Sequence, residues 1–148
     1  MRLPVEVVKR VRDAVGSEFI LIYRLSMIDL IPNGSTHDKV VQLAQAVEKA
    51  DANILNTGIG WNEVRISIIA TSVPQAAFAW VTKKLMGKTS IPITTSNRIN
   101  TPEVAEDLIS SGYADMVSLA RPFLADLNLV TKAAAGKAAE IAPCIACN

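Results

Sequence analysis

The feature that most constrains this chain is an alternation: a short apolar run, a polar loop, then a stretch with helical periodicity, repeated along its length. "EFILIYR" (18–24) is a continuous apolar run of the kind found in strands buried on both faces. "NILNT" (53–57), "IPITT" (91–95) and "DMVSLA" (115–120) are three further strand-sized runs. Between the first two, Val40, Leu43, Ala44 and Val47 fall at i, i+3, i+4 and i+7, with Ser35 or Thr36 placed to cap a helix. A helix is expected near 76–86. "TPEVAEDLIS" starts another, with Thr101 as its cap and Pro102 at the first helical position. A helix after 120 is closed by Gly136, and one before the first strand presents Val7, Val8, Val11 and Val15 on one face and stops at Gly16. Strands alternating with helices imply parallel crossovers, hence an α/β fold.

Composition narrows the partners. With 148 residues, half of them apolar and a fifth charged, the chain has the means to bury one core. A formal net charge of +1 argues against binding nucleic acid or a membrane surface through bulk electrostatics. The longest apolar run, "FILIY", is far shorter than the ~18 residues a membrane span needs. Charges interrupt "MRLPVEVVKRVRDAV" throughout, which makes it a poor signal peptide. The two cysteines supply no disulfide framework, so a cytoplasmic location is expected.

In a parallel sheet or barrel all strand C-terminal ends share one face, and ligands bind there. Each strand exit carries an arginine: Arg24 directly after the first strand, Arg65 in the long loop after the second, Arg98 in "SNRIN" after the third, and Arg121 directly after the fourth. Guanidinium forks suit phosphates and carboxylates, and four crowded cations repel unless an anion joins them. The alternative is a solvated rim in which these arginines pair with Asp29, Glu63 or helix C-termini. For a phosphate, "TTSNRIN" offers small polar residues and free backbone N–H groups, while a helix starting in "LARPFLAD" turns its unpaired N–H groups towards an anion. There is no P-loop and no GxGxxG.

The blocks "FILIYRLSMIDL", "ILNTGIGWNEVR", "TTSNRIN", "DMVSLARPFLAD" and "CIACN" resemble, in order and spacing, the bacterial 2,4-dienoyl-CoA reductases of the Old Yellow Enzyme group of flavin oxidoreductases. The resemblance covers essentially the whole chain. It implies the C-terminal half, strands five to eight, of a (β/α)8 TIM barrel over residues 1–141, followed at 142–148 by the start of an iron–sulfur cysteine segment. By the same resemblance Arg24 lies against the polar end of the FMN ring. Asn97, Arg98, Ala120 and Arg121 hold the FMN phosphate. Asn62, Glu63, Val64 and Arg65 face an unsaturated acyl-CoA or other enoate, and Cys144 and Cys147 are two of four ligands to a 4Fe–4S cluster. FAD and NADPH belong to a later region of the full-length family. The reaction implied is reduction of a C=C bond by hydride from reduced flavin.

The chain also departs from the family. The bacterial fatty-acid enzymes have Gly-Trp-His-Glu where this chain has "GWNE", and the Asn62 amide cannot titrate near neutral pH. Neither Tyr23 nor Tyr113 matches the proton-donating tyrosine, which the resemblance puts upstream of residue 1. The other two cluster cysteines would lie downstream. A second expectation follows: an inactive fragment or structural half-barrel with open sheet edges, needing a homodimer or a complementary half-barrel before it binds FMN.

Other residues support blander readings. Without the resemblance, Cys144 and Cys147 are free thiols on a frayed end, because a redox dithiol normally opens a helix after a strand. His37 reads as a solvated histidine, Trp61 as a pocket wall and Trp80 as helix packing. Asp29 and Glu63 are expected to neutralise neighbouring arginines.

Overall fold

A computed structural model describes residues 1–60 and 68–147. In chain order these form α1 (Arg2–Val15), β1 (Ile22–Ile28), α2 (His37–Glu48), β2 (Ile54–Ile59), α3 (Ala79–Leu85), β3 (Ile93–Thr95), α4 (Pro102–Ser110), β4 (Met116–Val117), α5 (Arg121–Ala125) and α6 (Leu129–Ala134). A single 3-10 turn follows at Ala138–Glu140. The strands pair in the order β1-β2-β3-β4, all parallel. The alternation of strand and helix is therefore the fold, as the sequence pattern requires.

Local chemistry sets the boundaries. Thr36 and Thr101 have extended backbone and their hydroxyls accept from Lys39 N and Val104 N, both at 3.4 Å, so each closes an orphan donor at a helix start. Arg12 delays the first strand beyond its expected position. Its guanidinium donates to the carbonyls of Gly16 (2.6 Å), Phe19 (2.7 Å) and Asp51 (2.7 Å) and to Asn53 Oδ1 (2.6 Å). The loop 16–21 winds around that cation, and Asn53 Oδ1 takes the Leu21 N–H at 2.8 Å. Pairing then begins at Ile22 against Ile54, which leaves Phe19 and Ile20 exposed instead of in a doubly buried strand.

Register sorts the side chains. Tyr23 pairs with Leu55, and Leu55 with Ile93, so these residues share one face. Leu25, Leu55, Leu85 and Ile93 are almost wholly buried there, with Val40, Ala44 and Val47 of α2 packed over the sheet. Each such Leu contributes about 2 kcal/mol through removal from water. The helix α1 joins this core through Val8, with Val5 packed beside it, whereas Val7, Val11 and Val15 are exposed. The apolar arc expected on α1 is thus wider than the neighbour that covers it.

A buried chain of hydroxyls ties the sheet to α3. Thr57 Oγ1 donates to the Thr94 carbonyl at 2.9 Å, which uses its one proton. Thr82 Oγ1, 2.8 Å away, must therefore donate to Thr57, and Thr95 Oγ1, at 3.1 Å, to Thr82.

The single helix expected after residue 120 is two short ones. Asp126 separates them: its carboxylate accepts from Asn128 N (2.9 Å), Lys132 Nζ (2.6 Å) and Ala142 N (3.0 Å), and its backbone is extended. A side chain with three donors from the following segment stops the helix and folds the chain back. Trp80, expected to pack, is exposed, with Lys84 Nζ 4.7 Å above its ring. Among the described residues, no helix is long and apolar enough to cross a membrane.

Candidate functional site

On the opposite, concave face of the sheet, one row of paired residues crosses all four strands: Arg24, Asn56, Thr94 and Met116. Arg24 is the third residue of β1, not the first beyond it, because the strand starts four residues later than the apolar run suggests. Its side chain therefore lies along the concave face. Arg24 NH1 is 3.5 Å from Asn56 Oδ1, and Asn56 Nδ2 donates to Ser118 Oγ at 3.4 Å. A polar line thus runs from the first strand to the exit of the fourth.

The exits of β3 and β4 supply the rest. Ser96 Oγ donates to the Thr57 carbonyl at 2.6 Å and anchors the start of the loop. Asn97 and Arg98 then adopt left-handed backbone, φ 76 and 57, a conformation that costs a non-glycine residue free energy. The strain turns the chain so that Arg98 Nε donates to the Val73 carbonyl at 2.7 Å. Arg121, the first residue of α5, donates from NH2 to the Ile69 carbonyl at 3.1 Å. Among the described residues, each guanidinium makes one bond to the loop after β2. A helix does start at Arg121, but α5 has only five residues, so side chains outweigh any dipole.

Arg24, Asn97, Arg98, Ala120, Arg121 and Cys144 all line one cleft of about 170 Å³, and among the described residues no carboxylate lines it. The ion pairs among the described residues are Glu6–Arg10, Asp126–Lys132 and Glu140–Lys137, none of which involves a cleft arginine. Asp29 does not neutralise them. It accepts from Ser35 N at 2.7 Å and from Ser26 Oγ at 2.9 Å, and these bonds, the Ser35 amide first, hold its carboxyl below the usual range. The solvated-rim alternative thus fails for Asp29. Asn97 Nδ2 is buried with no partner among the described residues. Among the described residues the cleft brings together three guanidiniums and an unpaired amide without an acid, a set that suits a phosphate or carboxylate.

Three of the four strand-exit arginines therefore meet. Trp61, Asn62, Glu63, Val64 and Arg65 lie outside the described residues. Cys144 is half-buried against the cleft, Cys147 is exposed, and both are free thiols. A 4Fe–4S cluster takes four thiolates, and among the described residues no three His, Cys, Asp or Glu side chains gather as a metal site. The described residues do not complete such a cluster. Asn56 and Ser118 carry no signal of a site role in the local sequence. A period-two reading of "ILNT" would have put Asn56 on the face opposite Leu55 and Thr57.

The pattern of the NADH:flavin oxidoreductase / NADH oxidase family matches residues 1–140. The chain belongs to that family. Membership in this flavin oxidoreductase family implies FMN binding and places the parallel sheet as part of a TIM barrel. A metal reductase of Desulforamulus reducens is 38% identical over 148 residues, all of this chain and 22% of that protein. An NADH oxidase of Thermoanaerobacter brockii is 31% identical, again across the whole chain and over 23% of its own length. A solved 2-naphthoyl-CoA reductase in complex with 2-naphthoyl-CoA superposes with a TM-score of 0.94 at 29% identity, covering 99% of this chain and 23% of the other. The chain thus spans less than a quarter of the length of the relatives it matches, and its sheet corresponds to a partial barrel.

Proposed function

We propose that this chain provides the FMN-holding half-barrel, residues 1–141, of an enoate reductase of the 2,4-dienoyl-CoA reductase type. The observation that carries the reading is the cleft where Arg24, Arg98 and Arg121 converge beside the buried Asn97 Nδ2, with neither a carboxylate in its wall nor a partner for that amide among the described residues. That donor set fits FMN. Arg98 and Arg121, with the backbone at Asn97 and Ala120, hold its phosphate. Arg24, set back on the concave face, stands beside the ring as a cation that favours negative charge there. Bound FMN supplies the hydride that saturates a carbon–carbon double bond next to a thioester.

Asn62, Glu63, Val64 and Arg65 are assigned to the acyl-CoA. The Asn62 amide orients a substrate by hydrogen bonding but moves no proton near neutral pH, so protonation falls to another group. The acyl-CoA class is supported by the solved relative in complex with 2-naphthoyl-CoA. The dienoyl chain is supported by the sequence blocks around "SNRIN" and "ARPFLAD". Cys144 and Cys147, in the segment 142–148, are assigned as two thiolate ligands of a cluster that other residues must complete.

A second observation bears on the chain by itself. Ile22, Arg24 and Ser26 of β1 are exposed on the concave face, and β1 and β4 are both sheet edges. We infer that turnover needs a complementary half-barrel against these edges. The test is a titration of FMN fluorescence with the wild-type chain and with Arg121→Ala, followed by an NADPH-dependent assay on 2,4-dienoyl-CoA. Quenching that Arg121→Ala weakens about tenfold, the worth of one charge-assisted hydrogen bond, is expected, without turnover. Equal quenching in both proteins counts against the phosphate site, and turnover by the chain alone counts against the need for a second half.

A further inference from the structure

The row of residues that crosses the sheet holds one cation from two sides. Arg24 of β1 and Asn56 of β2 are direct partners in the parallel register. Arg24 NH1 donates to Asn56 Oδ1 at 3.5 Å, and Asn56 Nδ2 donates to Ser118 Oγ at 3.4 Å. The amide can take only this orientation. Turned over, it would set its own N–H donors against a guanidinium that has nothing but donors. Ser118 is fixed in turn, because its N–H donates to the Thr95 carbonyl at 2.8 Å just beyond the end of β4. On the other side of the guanidinium stands Gly58, two residues beyond Asn56 and so on the same face of β2. A Cβ there would lie 3.3 Å from Arg24 Nε and NH2. One neighbour therefore holds NH1, and the other leaves room for Nε and NH2 to lie against the strand.

The chemistry of the partner matters as much as its position. An aspartate at 56 could also accept from the guanidinium, but it would form an ion pair and cancel the charge. An asparagine of the same shape accepts the bond and leaves the charge in place. Among the described residues no ion pair includes Arg24, and no carboxylate lines the cleft wall that Arg24 and Ser118 share. The arginine thus keeps its positive charge in a set position.

We propose that Asn56 and Ser118 are positioning residues for Arg24: they set its guanidinium on the concave face without neutralising it, and thereby tune the reduction potential of a flavin ring bound there. The tuning rests on the reading of the cleft as the FMN site; the placement of the guanidinium does not.

The placement is read on the flavin-free full chain, from the NMR order parameter of the Arg24 Nε–H. Asn56→Ala removes the acceptor and should lower it. Asn56→Asp keeps an acceptor and should not. Ser118→Ala should lower it by a smaller amount, and keeps the test open where a change inside β2 prevents folding. Equal order in wild type and the alanine variants would overturn the placement. The tuning is read as the midpoint potential of bound FMN. In Asn56→Asp the preference of the site for reduced over oxidised FMN should fall about tenfold, the worth of one charge-assisted bond, which is ~30 mV for a two-electron couple. Arg121→Ala, which acts on the phosphate, should leave the potential where it is. An unchanged potential in Asn56→Asp overturns the tuning. If the wild-type chain binds no FMN, the FMN reading falls and the tuning with it, and the order parameters decide the placement.

Discussion

The guanidinium of Arg24 lies across Gly58: a Cβ built on that glycine would stand 3.3 Å from both Nε and NH2. Gly58 sits in β2, opposite Ser26 and two residues beyond Asn56, the residue that pairs with Arg24. Its missing side chain is what lets the arginine lie along the concave face. The glycine is a matter of close approach, since its backbone is ordinary for a strand.

Gly58→Ala should therefore leave the fold intact and displace Arg24, because the crowded neighbour is a flexible side chain. We expect Tm to stay within a few degrees, about 1 kcal/mol or less, while FMN affinity falls several-fold as the cation moves. Thermal melts beside flavin titration check this. A large drop in Tm with unchanged affinity would show that the glycine serves packing alone.

Thr82→Val should cost about 1–3 kcal/mol in urea unfolding, since it leaves the Thr95 proton without an acceptor and removes the donor to Thr57 within a buried site. Thr82→Ser retains the hydroxyl and should cost less than half as much. If Val and Ser variants unfold at the same urea concentration, the hydroxyl chain contributes no net stability.

Asp126 gives the protein an acid-sensitive latch. The Lys132 ammonium, then the Ala142 amide, hold its carboxyl below its ordinary value of 3.8. A depressed folded-state pKa means that the stabilisation is present above the unfolded value and disappears as pH falls through the folded one. Amide exchange at Ala142 should stay slow down to about pH 4, near the ordinary aspartate value, and accelerate below it. In Asp126→Asn that acceleration should be absent; an unchanged acid profile would assign the latch to another group.

How far the sequence could be read depended on the range of the interaction. The strand–helix alternation, the Thr101 cap and a cap at Ser35 or Thr36 were visible because they depend on local periodicity and on residues three apart. The start of β1 was not, since Arg12 sets it by reaching carbonyls and an amide as far as Asn53, and no local pattern reports such a bond. The same holds for the break at Asp126, whose partner Ala142 is 16 residues away. Within the site, the convergence of Arg24, Arg98 and Arg121 followed from the shared direction of parallel strands. Asn100 was hidden because its bond to the Cys144 carbonyl forms only where the loop after β3 meets the cysteine segment.

The central claim is that the arginine cleft recognises the phosphate of FMN. Its most direct test compares FMN with riboflavin, which carries the same ring and no phosphate, in fluorescence titrations of the wild-type chain and Arg121→Ala. The account predicts that wild type binds FMN at least about tenfold more tightly than riboflavin, and that Arg121→Ala removes most of this difference by weakening FMN alone. Equal affinity for FMN and riboflavin in the wild-type chain would contradict it.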